Sequence, residues 1–121
     1  MIDLYTWTTP NGRKVSILLE ELGLDYISHP IDITKGEQHQ PSFLAISPNN
    51  RIPAIVDSEF MNSKVEQTDV EMADISLMES AAIMLYLASK AGRFIPKERR
   101  HYWQMMEWLM WQMGSAPYLG G

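Results

Sequence analysis

The sequence predicts an α/β domain built on a βαβ unit, and three observations carry that expectation. A short apolar run, Ile2-Asp3-Leu4-Tyr5, stands one tight loop ahead of an amphipathic run from Val15 to Leu22. Tyr26 to Ile33 then alternates loosely through Tyr26, Ile27, His29, Ile31 and Ile33, which reads as a second strand. Further on, Arg51-Ile52-Pro53-Ala54-Ile55-Val56 reads as another strand, and a second strong helix follows from about Ser80. Two strands flanking a helix of this length are most simply parallel and joined by a right-handed crossover.

The 121 residues give room for one domain with a respectable core, or for one domain plus part of a second. Hydrophobic residues make up 45% and charged residues 21%, the balance of an ordinary soluble chain. No run approaches the length of a membrane span, and Met1-Ile2-Asp3 leads directly into strand-like sequence, so neither a span nor a secretory leader is expected. With no cysteine, disulfides, thiolate metal sites and a protein thiol nucleophile are all excluded from this stretch. Any thiol chemistry must use a thiol brought by the ligand.

Helix one starts at Thr9-Pro10-Asn11-Gly12. Thr9 is suited to cap free backbone N–H groups, and Pro10 at the first helical position sacrifices no hydrogen bond. Such a start aims N–H groups and the positive end of a helix dipole at one point, favouring an anion or a thiolate. A plain connector between strand and helix is the alternative. Val15, Leu18, Leu19 and Leu22 form the apolar face, and Gly23 stands where a C-terminal cap is expected. Thr34 to Gln40 is a polar loop, Pro41 starts a short helix through Phe43, Leu44 and Ile46, and Ser47-Pro48-Asn49-Asn50 ends it. A cis Ile52-Pro53 bond would turn the backbone before it toward a ligand, although composition does not decide between cis and trans.

Residues 57–76 carry a net charge of −5, equal to that of the whole chain. Seven acids (Asp57, Glu59, Glu66, Asp69, Glu71, Asp74 and Glu79) stand there or close by, against Lys64 alone. The stretch reads as an acidic surface hairpin or loop. The small basic cluster Lys97, Arg99 and Arg100 reads as a solvated helix start, so nucleic acid is not an expected partner. Ser80 is placed to offer a hydroxyl and an N–H to a carboxylate, whereas Ser76-x-x-Glu79 equally matches a capping box that would occupy Glu79. His29, His39 and His101 have no metal-ligand spacing, and no metal site is expected. The last helix, from about Lys97 to Met113, is apolar or aromatic at nine of the twelve positions from Tyr102 to Met113. A helix so apolar expects cover on several sides, from a longer chain or from another copy.

Four stretches taken together resemble the cytosolic glutathione transferases: Thr9-Pro10-Asn11-Gly12 after the first strand, Asn49-Asn50-Arg51-Ile52-Pro53-Ala54-Ile55-Val56, Glu79-Ser80-Ala81-Ala82-Ile83, and Trp108-Leu109-Met110-Trp111-Gln112-Met113-Gly114. The likeness runs strongest to the bacterial nu class, described also as disulfide-bond reductases. It implies a thioredoxin-like domain (βαβ-α-ββα) over residues 1–92, then a linker and the first helix of an incomplete all-α domain over 93–121. It also implies a cytoplasmic, dimeric protein whose co-substrate is glutathione, with no metal. By position, Thr9 and Asn11 would serve the glutathione sulfur as catalytic residues, and Asn11, Gln38, Arg51, Ile52, Pro53, Glu79 and Ser80 would bind the tripeptide, with Pro53 cis. The chemistry is coherent. A tripeptide with charged ends and a central thiol needs an acid for its ammonium, a helix start for one carboxylate, a cation for the other and a donor near its sulfur. A thiol of pKa about 8.5 to 9 needs a lowering of a unit or two to be largely ionised near neutrality.

Two departures bear on that expectation. The acidic 57–76 segment is longer than the family's usual link, which allows the fourth strand, and Glu79 with it, to be displaced. The electrophile pocket lies in the family partly beyond this chain. The expected function is therefore glutathione activation, for conjugation to small electrophiles or for disulfide reduction. The alternative is a truncated, non-catalytic glutathione-binding or interaction module associating through its Trp/Met-rich helix.

Overall fold

A computed structural model describes residues 1–60 and 74–118. The fold is a four-stranded sheet with helices on both faces, in the order β1 (Ile2–Thr6), α1 (Pro10–Leu22), β2 (Tyr26–Pro30), α2 (Pro41–Leu44), β3 (Ala54–Asp57), β4 (Ile75–Met78), α3 (Ser80–Ala91) and α4 (Arg99–Gly114). Strand order is β2-β1-β3-β4. β1 pairs parallel with β2, while β3 pairs antiparallel with both β1 and β4. This is the thioredoxin-like arrangement expected for the first ninety or so residues.

Side-chain alternation along β1 sorts the layers. Ile2 and Leu4 face Val15, Leu19 and Leu22 of α1 and Ile83 and Leu87 of α3, with Ile55 between them in the core. Tyr5 points to the other face, stacked on His29 (centroids 4.7 Å apart) and near Phe43 of α2. His29 Nε2 also meets Asp3 Oδ1 at 2.7 Å. α1 and α3 therefore cover one face of the sheet and α2 the other. α1 is bounded as its sequence demands: Thr9 caps one end, and Gly23 at φ 68° closes the other.

Several boundaries differ from expectation, among them the end of α2 at Leu44 rather than Ile46 and the start of α4 at Arg99. β2 stops at Pro30 rather than Ile33, because its partner β1 ends at Thr6, whose carbonyl takes the Ile31 N–H at 2.9 Å, and Asp32 then accepts the Thr34 N–H at 2.9 Å to open a 3₁₀ turn. β3 begins at Ala54, after a cis Ile52–Pro53 bond. The acidic segment is shorter at both ends than 57–76: Asp57 closes β3, Ile75 and Ser76 belong to β4, and 61–73 lie outside the described residues. β4 lies squarely against β3, Ala54 opposite Met78 and Asp57 opposite Ile75, so the fourth strand is not displaced.

Asp57 is a larger correction. It is fully buried rather than part of an acidic surface. Its carboxylate accepts from the Tyr86 hydroxyl at 2.6 Å, from Lys90 Nζ at 2.5 Å and from the Glu59 N–H at 2.9 Å. Burial alone would raise the Asp57 carboxyl, but the hydrogen bonds from Lys90 and Tyr86, with the Glu59 N–H and the Lys90 charge, hold it below the usual carboxylate range. Burial, and then its bond to Asp57, push the Tyr86 phenol well above its ordinary value. Gly12 is a second constraint. A Cβ there would lie 2.4 Å from both Thr6 Oγ1 and the Trp7 carbonyl oxygen, so only glycine lets the first turn of α1 sit so near the end of β1.

Tyr86→Phe should cost about 1 kcal/mol, an ordinary hydrogen bond, and Lys90→Met about 3 kcal/mol, because it leaves a buried carboxylate without its cation. A carboxylate held low in the folded state stabilises above its unfolded pKa, so the parent should lose this contribution only as pH falls below about 4. In Lys90→Met the folded Asp57 binds its proton more readily than the unfolded one, so urea midpoints of variant and parent should converge between pH 7 and pH 5. A gap independent of pH would remove Asp57 as the cause. Gly12→Ala should lower the midpoint despite gaining about 1 kcal/mol of helix propensity, since the clash with the Trp7 backbone costs about 1–3 kcal/mol.

Candidate functional site

Four separate segments converge on one cavity of about 320 Å³. The first turn of α1 supplies Asn11; the turn before β3 supplies Ser47, Asn49, Arg51, Ile52 and Pro53; the junction of β4 and α3 supplies Met78, Glu79 and Ser80; and the end of α4 and the turn after it supply Met113 and Pro117.

At the first segment the helix-start donors can be accounted for individually. Pro10 has none, Gly12 N–H goes to Thr9 Oγ1 at 3.1 Å, and Arg13 N–H goes to the Thr9 carbonyl at 2.9 Å. Asn11 N–H is left without an intrachain partner among the described residues, beside its own amide side chain. Thr9 is occupied as the cap, with its N–H on the Trp7 carbonyl at 2.8 Å, and does not line the cavity.

In the second segment, Ser47 is buried and donates its hydroxyl to the Arg51 carbonyl at 2.8 Å. Asn50 takes a positive φ of 50°, a conformation asparagine tolerates better than most residues, and the turn delivers Arg51 and the cis Ile52–Pro53 pair to the cavity wall. Gln38 lies elsewhere. It sits in a 3₁₀ turn at Glu37–His39, with Nε2 3.4 Å from the Ile33 carbonyl and its Oε1 buried with no partner among the described residues.

The third segment answers the question of the capping box. Ser76 lies within β4 opposite Val56, and Glu79, at the N-cap of α3 with φ 71°, makes no side-chain cap bond. Its carboxylate is therefore not spent on its own helix. A non-glycine residue at that φ is held there by β4 pairing on one side and the α3 start on the other. Ser80 follows, 4% exposed, with its hydroxyl 3.3 Å from Met113 Sδ.

Of the residues expected from sequence, Asn11, Arg51, Ile52, Pro53, Glu79 and Ser80 share the cavity, while Thr9 and Gln38 stand outside its lining. Ser47, Asn49, Met78, Met113 and Pro117 went unassigned. The Ser47-Pro48-Asn49-Asn50 turn was a signal for Ser47, whereas nothing local marks Met113 or Pro117. Lys14 was also missed. One turn beyond Asn11, its Nζ donates to Gln112 Oε1 and to Met113 Sδ, tying α1 to α4 beside the cavity. Burial pushes the Lys14 ammonium below its ordinary pKa, and the Glu79 carboxylate nearby works against that fall.

A family model described as the glutathione S-transferase N-terminal domain matches residues 8–90. The disulfide-bond oxidoreductase YfcG of Escherichia coli K12 is 48% identical over 121 residues, covering 99% of this chain and 53% of that protein. The disulfide-bond oxidoreductase YghU of the same organism is 38% identical over 126 residues, covering 99% of this chain and 40% of that protein. Among solved structures, a glutathione transferase family member from Pseudomonas fluorescens with two glutathione molecules bound is similar with a TM-score of 0.80 and 43% identity, over 93% of this chain and 46% of that one. The chain spans about half the length, or less, of these relatives. With a matched domain covering most of its residues, the chain belongs to the glutathione S-transferase family, of which it carries the N-terminal domain.

Proposed function

We propose that this chain binds glutathione in the cavity between α1, β3, α3 and α4 and activates its thiol, chiefly for disulfide reduction. The observation that carries this reading is the convergence of Asn11, Arg51, Glu79 and Ser80 on one cavity of about 320 Å³. Each end of the tripeptide finds a complement: the Glu79 carboxylate for the γ-glutamyl ammonium, the α3 start at Ser80 for its carboxylate, and Arg51 for the glycyl carboxylate. The backbone of Ile52, ahead of cis Pro53, is suited to the cysteinyl residue between them. Asn11 is placed to donate to the sulfur through its side chain or its backbone N–H, with Thr9 holding that helix start in position. The α1 dipole adds to that donor in lowering the thiol pKa.

In disulfide reduction the glutathione thiolate attacks the glutathionyl sulfur of a glutathione mixed disulfide. A new S–S bond forms glutathione disulfide, the old S–S bond breaks, and the departing thiolate takes a proton. The chain itself has no cysteine, so all three reacting sulfurs arrive with substrates. The names of the two oxidoreductase relatives favour this reaction over conjugation to small electrophiles. We place the domain boundary at residue 92, with 93–121 beginning an all-α unit, and the protein in the cytoplasm. Among the described residues no helix is long and apolar enough to cross a membrane.

A second reading, association with another copy or chain, is favoured by α4. Its Trp103, Trp108, Met110 and Trp111 are 61%, 66%, 47% and 44% exposed, a patch of roughly several hundred Å².

Calorimetric titration with reduced glutathione should give saturable binding, and Glu79→Gln should weaken it about tenfold or more, the value of one charge-assisted hydrogen bond. Asn11→Ala should raise the pKa of the bound thiol, read from thiolate absorbance, with a smaller effect on affinity. Unchanged thiol ionisation in Asn11→Ala sinks the sulfur assignment. Sedimentation of the parent at micromolar concentration should show a species larger than the monomer that Trp108→Ser dissociates; a dilution-resistant monomer overturns the second reading.

A further inference from the structure

Lys14 stands out as a cation set just behind the cavity lining, on Met113, without a matching acid in contact among the described residues. It is only partly exposed, and no carboxylate lies within 4.0 Å of its Nζ among the described residues. Its donors go to neutral acceptors instead, Gln112 Oε1 and Met113 Sδ, and Met113 in turn accepts the Ser80 hydroxyl at 3.3 Å. Holding an ammonium on an amide and a thioether leaves it without a contacting counter-charge, Glu79 acting on it only from a distance, and a half-buried charge is felt by whatever occupies the space beside it. That space is the Glu79–Ser80 corner of the cavity, since Met113, Glu79 and Ser80 all line it.

Building on the glutathione reading, we infer that Lys14 is a specificity-determining residue of the amino-acid subsite, making that corner select a zwitterion over a simple cation. Glu79 alone would welcome any amine. With Lys14 beside it, an incoming ammonium is attracted by one group and repelled by the other, and binds well only when it carries a carboxylate that seats at the positive end of α3 in the field of Lys14. The same charge sets the balance of the whole cavity. Arg51 and Lys14 against Glu79 leave one net positive charge, opposite to the single net negative charge of a tripeptide with two carboxylates and one ammonium. Lys14 works through its field and through its hold on α4, so it is a specificity residue rather than a catalytic one.

The test compares reduced glutathione with 4-aminobutyryl-cysteinylglycine, which lacks only the α-carboxylate beside the ammonium. The parent should prefer glutathione by about tenfold. Lys14→Met should weaken glutathione while leaving the analogue unchanged or improved, shrinking that preference by about threefold or more. Lys14→Arg should keep it. Gln112→Glu, which neutralises the ammonium without removing it, should shrink the preference as Lys14→Met does, and decides the matter if Lys14→Met fails to melt cooperatively. A preference unchanged in the folded charge variants, whether both ligands weaken together or neither does, overturns the inference and leaves Lys14 a structural tie. A parent that binds neither ligand at millimolar concentration removes the glutathione reading and this inference with it, whereas a parent that binds glutathione with no variant changing the preference removes the inference alone.

Discussion

A single buried carboxylate fixes how the second half of the fold meets the first. Asp57 closes β3, and its two oxygens are taken by Tyr86 and Lys90 of α3 and by the Glu59 N–H. An apolar contact between β3 and α3 through Ile55, Ile83 and Leu87 would hold the helix against the sheet but would let it slide or rotate. Hydrogen bonds to a charge are directional, and those from Tyr86 and Lys90 lie one turn apart on α3, so they set both its rotation and its height. The same helix begins at Ser80. The position of the Glu79–Ser80 corner is thus determined from the far end of α3, by groups that never touch the cavity.

The Asn11 side is positioned by a steric constraint of a different kind. Absence of a Cβ at Gly12 lets α1 approach the end of β1, with the Thr6 hydroxyl and the Trp7 carbonyl filling the space a side chain would need. Thr9 then consumes the Gly12 N–H, which leaves Asn11 as the residue whose amide faces outward. One wall of the site therefore depends on an electrostatic bond in the interior and the other on bare backbone contact.

How much of this was legible follows from the range of each interaction. The caps of α1, its apolar face and the βαβ unit are local patterns, and Thr9, Gly23 and the Val15–Leu22 spacing gave them directly. The Ser76–Glu79 capping box was local too and failed, because pairing with Val56 drew Ser76 into β4 and overrode a helix-start pattern worth about a kilocalorie. Asp57 was counted with its acidic neighbours because nothing nearby signals burial; its partners lie about thirty residues on, in a helix that only the fold brings near. Lys14 is the extreme case, bonded to residues 98 and 99 positions away. Gln38 and Thr9, carried over from a family pattern, keep their places in the chain without reaching the cavity lining.

The backbone around the cavity explains why the site is assembled from such distant parts. Asn50 and Glu79 both hold positive φ, and Ile52–Pro53 is cis, so irregular backbone borders the site on two of its sides. Irregular backbone exposes N–H and C=O groups that regular strands and helices would use among themselves, which is what a peptide ligand needs to bind. It also lacks the ladder bonds that would hold it still. That rigidity comes from neighbours instead: Ser47 fastening the Arg51 carbonyl, β3 pairing on both sides, Asp57 anchoring α3, and Lys14 clamping α4. Charge and hydrogen bonding outside the cavity therefore do for its geometry what secondary structure does for the core, and a change at Asp57 or Lys14 acts on the site without touching a ligand.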